Sequence, residues 1–136
     1  MSVDPHVELV RRAFEAVFRQ PRPDFDAVNA LFSPDHVYVS PTTELEGRIW
    51  HGGSGFRDFL SAWDETMDWT GEVTSARALD ERRVLAEGTL TTRGKGSGVE
   101  MTHRRAWVVT VGDGKIVRTE AYPSPESALE AASQLS

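Results

Sequence analysis

The chain has 136 residues, of which 39% are hydrophobic, 26% charged and 9% aromatic, a size and composition that fit one globular domain spanning 1–136 and leave no room for a second. Fifteen Lys and Arg against 21 Asp and Glu give a net charge of −6, so nucleic acid and anionic lipid are poor partners. Cysteine is absent, which excludes disulfides, thiolate metal sites and a cysteine nucleophile together.

From Asp4 onward, Val7, Val10, Phe14 and Val17 recur at three- and four-residue spacing, with Ala13 and Phe18 beside them and Glu8, Arg11, Arg12 and Glu15 on other faces. This is an amphipathic helix with Asp4 as N-cap and Pro5 in its first turn, ended by Pro21 and Pro23. A short second helix is predicted from Asp24, burying Phe25, Val28, Leu31 and Phe32 and closed by Ser33-Pro34-Asp35. His36 to Ser40 reads as a strand stopped by Pro41, and Thr42 to Gly53 as a polar loop. Ser54 then caps a third helix carrying Phe56, Phe59, Leu60 and Trp63. Four strand-like runs follow, Val73–Leu79, Val84–Thr92, Val99–Val111 and Ile116–Tyr122, separated by turn signals, of which Asp113-Gly114 is a tight-hairpin pair. A last helix begins at Ser124-Pro125 and buries Ala128, Leu129, Ala132 and Leu135. Helices first and an antiparallel meander afterwards define an α+β fold with helices covering one face of a curved sheet. No apolar run approaches the ~20 residues of a membrane span, and Met1 to Pro5 lacks the basic and apolar parts of a secretion signal, so a cytoplasmic protein is expected.

The order of elements resembles the nuclear transport factor 2-like superfamily, in particular its SnoaL-like members. The segments that carry the resemblance are the first helix with Phe14, Leu31 to Tyr38, Gly52 to Phe59, the Gly94–Gly98 hairpin, Trp107 to Ile116, and Tyr122 with the final Ala-Leu-rich helix. The resemblance implies a cone-shaped α+β barrel, N-terminal helices packed on a strongly curved antiparallel or mixed sheet around a pocket, and a homodimer. It does not fix the chemistry, since the superfamily includes isomerases, cyclases, hydrolases and non-catalytic binders. Where the isomerase branch carries a carboxylate before a proline, this chain has Ser40-Pro41, and a serine does not abstract a carbon-bound proton without a base of its own. Where the cyclase branch carries Gly-Thr-His on a middle strand and an Asp after the last strand, this chain reads Gly88-Thr89-Leu90 and Tyr122-Pro123-Ser124-Pro125.

Glycine runs at Gly52–Gly55 and Gly94–Gly98 complete neither a dinucleotide nor a phosphate-loop pattern. The four histidines, His6, His36, His51 and His103, form no metal-ligand spacing, so neither metal nor cofactor is expected. Period-two alternation in Met101 to Val109 puts Met101, His103, Arg105, Trp107 and Val109 on one face. If that face is concave, His103 and Arg105 border a pocket with Trp107; if convex, they serve salt bridges or a dimer contact. On the last strand the same alternation groups Ile116, Arg118, Glu120 and Tyr122, and on the first it groups His36, Tyr38 and Ser40.

Two functions follow. One is a cofactor-free lyase or isomerase with His103 as acid/base, Glu120 as its partner, and Tyr38 or Arg105 holding an oxyanion. The other is non-catalytic binding of an apolar or anionic metabolite, or a dimeric scaffold, with Tyr38, Ser40, Trp63, Arg105 and Trp107 lining the pocket. For Glu120 the bland alternative is an ion pair with Arg118 or Arg105.

Overall fold

The structure, a computed structural model, describes residues 4–19, 24–39, 49–51 and 67–134. In chain order the elements are α1 (Pro5–Val17), α2 (Phe25–Leu31), β1 (Phe32–Val39), β2 (Ile49–His51), β3 (Met67–Ala78), β4 (Arg83–Gly94), β5 (Glu100–Gly112), β6 (Lys115–Tyr122) and α3 (Pro125–Gln134). The predicted third helix, with Trp63, and also Ser40, lie outside the described residues.

The helix starts follow the sequence signals. Asp4 Oδ1 accepts from the backbone N–H groups of His6 (2.8 Å) and Val7 (3.3 Å), with Pro5 at a position that needs no donor. Asp24 Oδ1 accepts from Ala27 N–H at 3.1 Å, and Ser124 Oγ from Ser127 N–H at 3.1 Å. The end of α2 differs from expectation. Phe32 already has extended backbone (ψ 141°), so the chain passes from helix to strand with no intervening turn, and Ser33-Pro34-Asp35 falls inside β1. Proline has no N–H to give the ladder, and the β1–β6 register shifts between Phe32 and Val37.

The six strands form one mixed sheet in the order β2-β1-β6-β5-β4-β3. The predicted meander is β3 to β6, all antiparallel; β1 joins it parallel to β6, and β2 pairs antiparallel with β1. Two boundaries are corrected: β2 arises within the stretch read as loop, and β3 begins at Met67 rather than Val73. Among the described residues β2 and β3 are edges and do not meet, so the curved sheet is open rather than a closed barrel. The Asp113-Gly114 turn has positive φ at both residues (53° and 75°), the primed hairpin turn that matches strand twist.

The helices α1 and α2 cover one face. Val10, Ala13, Phe14, Val17 and Val28 pack there on Val84, Ala86, Trp107, Val109, Val111, Ile116 and Ala121. On the far face α3 brings Ala128 and Ala132 against Leu85, Ala106 and Val108. Each interior aromatic pair contributes about 0.5–1.5 kcal/mol beyond its burial, and α1 supplies three of them: Phe14–Trp107 (4.8 Å), Phe18–Trp107 (5.9 Å) and Phe18–Trp69 (6.0 Å).

Two irregularities set which residues face the helices. In β3, Val73 pairs with Gly88 but Ser75 with Glu87, so Thr74 is an extra residue. In β6, Ile116 pairs with Val111 but Arg118 with Thr110, so Val117 is extra. The first explains Gly88: a Cβ there would collide with the backbone carbonyl of Glu72, which cannot swing away. Gly88→Ala is therefore expected to lose more than about 2 kcal/mol of stability in chemical denaturation, against a change within about 0.5 kcal/mol for Gly96→Ala, whose Cβ would meet nothing within 4 Å.

Candidate functional site

The β4–β5 register runs without a break, pairing Ala86 with Trp107, Gly88 with Arg105 and Leu90 with His103. Trp107 belongs to the core under α1, so alternation carries Arg105 and His103 onto the same helix-covered face. Of the two faces left open by the sequence, the structure selects this one. Both side chains are half-buried, and among the described residues neither has a hydrogen bond or ion pair. Opposite Arg105 stands Gly88, where the Glu72 carbonyl occupies the place a side chain would take. β6 ends at Tyr122 opposite Ala106, so Arg105 and His103 lie where β3, β4 and β5 extend beyond β6.

Glu120 is not brought to His103. The extra Val117 shifts the alternation, leaving Ile116 buried with Thr119 and Ala121 while Arg118, Glu120 and Tyr122 turn to the far face, where Glu120 pairs with Val108. There the buried Glu120 carboxylate accepts from Tyr122 Oη at 3.0 Å and meets Arg118 Nε at 3.3 Å. Burial and the adjacent Glu120 push the Tyr122 phenol up to about 12. The bland alternative for Glu120, an ion pair with Arg118, is the arrangement observed.

Tyr38 is buried on the covered face, opposite Thr119, which in turn faces Val109. Its row is four residues along β5 from Arg105, roughly 14 Å at about 3.4 Å per residue, so the two do not start as neighbours. Trp107 is a packed core residue held by Phe14 and Phe18.

His36, which alternation groups with Tyr38, is buried completely on the same face. Its Nε2 lies 2.9 Å from Thr119 Oγ1, and its ring meets Phe32 edge-on at 4.7 Å. Loss of hydration lowers its pKa to about 4, so it is a neutral imidazole at pH 7. Its polar–apolar alternation with Val37 and Val39 was visible; its depth was not.

Across β1 and β3 to β6, the residues that the register assigns to the covered face include no Asp or Glu. The titratable groups there are His36, Tyr38, His103 and Arg105. The site is therefore a basic, aromatic-backed surface in an otherwise acidic protein. A second feature lies beside it, a cleft of about 350 Å3 between α1 and β3, lined by Arg11, Phe14, Glu15, Phe18, Gly71, Glu72 and Val73. Among the described residues no group of three or more His, Asp or Glu stands together as a metal site, and no helix is long and apolar enough to cross a membrane.

Helices on one face of an open, bent mixed sheet, with polar groups set among aromatics beneath them, define a cone-like α+β pocket domain. The SnoaL-like domain model matches residues 10–119, and the chain belongs to that family. Solved structures of the same fold include a ketosteroid isomerase-like protein from Catenulispora acidiphila in complex with trimethylamine (18% identity, TM-score 0.72, 90% of each chain covered). TerC co-crystallised with polyporic acid is similar at 20% identity and TM-score 0.75, with 93% of this chain and 97% of that one covered. An M. tuberculosis LEH-like epoxide hydrolase is similar at 20% identity and TM-score 0.69, covering 93% and 87%. At these identities the likeness shows the fold alone. No curated protein matches the chain.

The depressed His36 pKa carries a sign. Above about pH 6.5 the imidazole is neutral in both folded and unfolded chains and contributes no pH dependence. Between 6.5 and about 4 the unfolded chain takes up a proton that the folded chain does not, so stability falls as pH falls, by roughly 3 kcal/mol in all. In a His36→Gln variant that part of the slope should be missing from denaturation curves measured at pH 4 to 7, whatever its stability at pH 7.

Proposed function

We propose that this domain binds a small, largely apolar or aromatic molecule carrying a carboxylate or other anionic group, held on the helix-covered face of the sheet. The observation that carries the reading is the charge sorting of that face: Arg105 and His103 without side-chain partners, aromatic residues adjoining, and no carboxylate among the described strand positions. A guanidinium in a half-buried setting gives an anion a two-pronged, charge-assisted contact. His103 adds an imidazole that can donate or accept a hydrogen bond. The aromatic layer of Trp107, Phe14, Phe18 and Trp69 offers the apolar body of a ligand a matching wall. TerC, with its bound polyporic acid, is a fold relative consistent with an acidic aromatic ligand.

The lyase or isomerase reading needs a proton acceptor and donor on the ligand's side of the sheet. Its expected partner for His103, Glu120, faces the other way, and the described strand positions of the covered face hold no other carboxylate. Binding is thus favoured over catalysis.

Titration with 2-naphthoate and its neutral amide, followed by tryptophan fluorescence, tests the reading. The carboxylate is expected to bind at least about tenfold more tightly than the amide, and Arg105→Gln to abolish that preference. Equal affinities, or a preference that survives Arg105→Gln, would overturn it. Turnover of a bound compound that vanishes in His103→Ala, with circular dichroism unchanged, would restore the catalytic alternative.

A further inference from the structure

The cleft between α1 and β3 is separated from Arg105 by β4 and has its own chemistry. Arg11 and Glu15 stand one helical turn apart on α1, and Gly71 to Val73 of the edge strand border the opposite side, with the Glu72 side chain turned by the register to the other face of the sheet. Neither Arg11 nor Glu15 has an ion pair or hydrogen bond from its side chain among the described residues. Arg followed by Glu four residues later is the weaker orientation for a helix-surface pair, consistent with their staying apart. Phe14 and Phe18 form an apolar wall, and Gly71 leaves bare backbone beneath. A Cβ at Gly71 would lie 2.5 Å from Phe18 Cε1, so a side chain there displaces the ring that shapes the cleft.

We infer that this cleft binds a small zwitterion: a molecule with an ammonium group, a carboxylate and an apolar or aromatic body, about the size of an aromatic amino acid. The cleft's 350 Å3 is within the usual range for small-molecule sites. Each end of such a ligand meets its opposite charge. The carboxylate takes the planar fork of Arg11, the ammonium group lies with Glu15, and the body rests on the faces of Phe14 and Phe18. A simple anion would meet the Glu15 carboxylate beside the one arginine. A simple cation would leave Arg11 uncompensated as the cleft loses water. The inference is independent of the anion site on β5.

Calorimetric titration with L-phenylalanine, 2-phenylethylamine and 3-phenylpropionate tests it, together with amide chemical shifts to locate the bound molecule. L-phenylalanine is expected to bind at least about tenfold more tightly than either singly charged analogue, with shifts centred on Gly71 and Val73. Arg11→Gln should bring L-phenylalanine down to the level of 2-phenylethylamine, and Gly71→Ala should weaken all three. The titrations are made on Arg105→Gln, in which the anion site on β5 is disabled, so that the three molecules report on this cleft. Arg11→Gln alters only an exposed side chain, so the test stands even if Gly71→Ala is poorly folded. Absence of L-phenylalanine binding at about 10 mM, equal binding of either analogue, or shifts centred on His103 would each overturn the inference.

Discussion

Phe14 and Phe18 of α1 packing against Trp107 decide which side of the sheet is the inside. The contact places a helix across β3, β4 and β5, and small residues make the approach close: Ala13 and Ala16 on the helix, Ala86 and Ala121 on the strands beside Trp107. Once Trp107 is inside, the unbroken pairing of β4 with β5 leaves no freedom for Arg105 and His103; they must share its face. Gly71 belongs to the same constraint, since the Phe18 ring occupies the space a side chain would need.

The helical parts were legible because caps and apolar spacing are local. Asp4, Pro5 and Asp24 do in the structure what such residues do at helix starts, and the covered stripe of α1 is the one its spacing describes. Strand β5 was legible to the extent that alternation holds along its whole pairing with β4. Alternation alone has no inside, however. Met101, His103, Arg105 and Trp107 form one set and Thr102, Arg104, Ala106 and Val108 the other, and only the long-range docking of α1 tells them apart. Short β2 was hidden because three residues are too few to show a period, and the start of β3 because Asp68, Thr70 and Glu72 face away from the helices while Gly71 adds no hydrophobicity. The α1–β3 cleft escaped for a related reason: Arg11 and Glu15 look like an ordinary solvent face until the edge strand is seen across from them.

Electrostatically the domain is sorted by face. Among the described residues the carboxylates lie on the helix exteriors, the turns and the far side of the sheet, while the covered strand positions carry one arginine and neutral or titratable groups. His36 shows the cost of polarity there. Enclosed by Phe32 and tied to Thr119, it contributes a hydrogen bond without a charge, because protonation in that setting is disfavoured by the loss of water. Arg105 stands nearer the open end of β5, where it is only half-buried.

The two bulges are the devices that enforce this sorting. Without Thr74 as an extra residue, β3 would turn Ser75 and Arg77 toward α1 in place of Ala76 and Ala78, placing a guanidinium opposite Val84 in the core. Without Val117, Arg118 and Glu120 would replace Thr119 and Ala121, and Glu120 would stand directly across from Trp107. In that register the chain would have had a carboxylate on the helix-covered side of the sheet, and the acid–base reading would have had its partner. A single valine, ordinary in any strand and adjoining the Asp113-Gly114 hairpin, moves the residue best suited for proton transfer to the opposite face, where Arg118 and Tyr122 hold it. What remains on the described strand positions under the helices is one arginine, two histidines and a tyrosine, with no carboxylate among them.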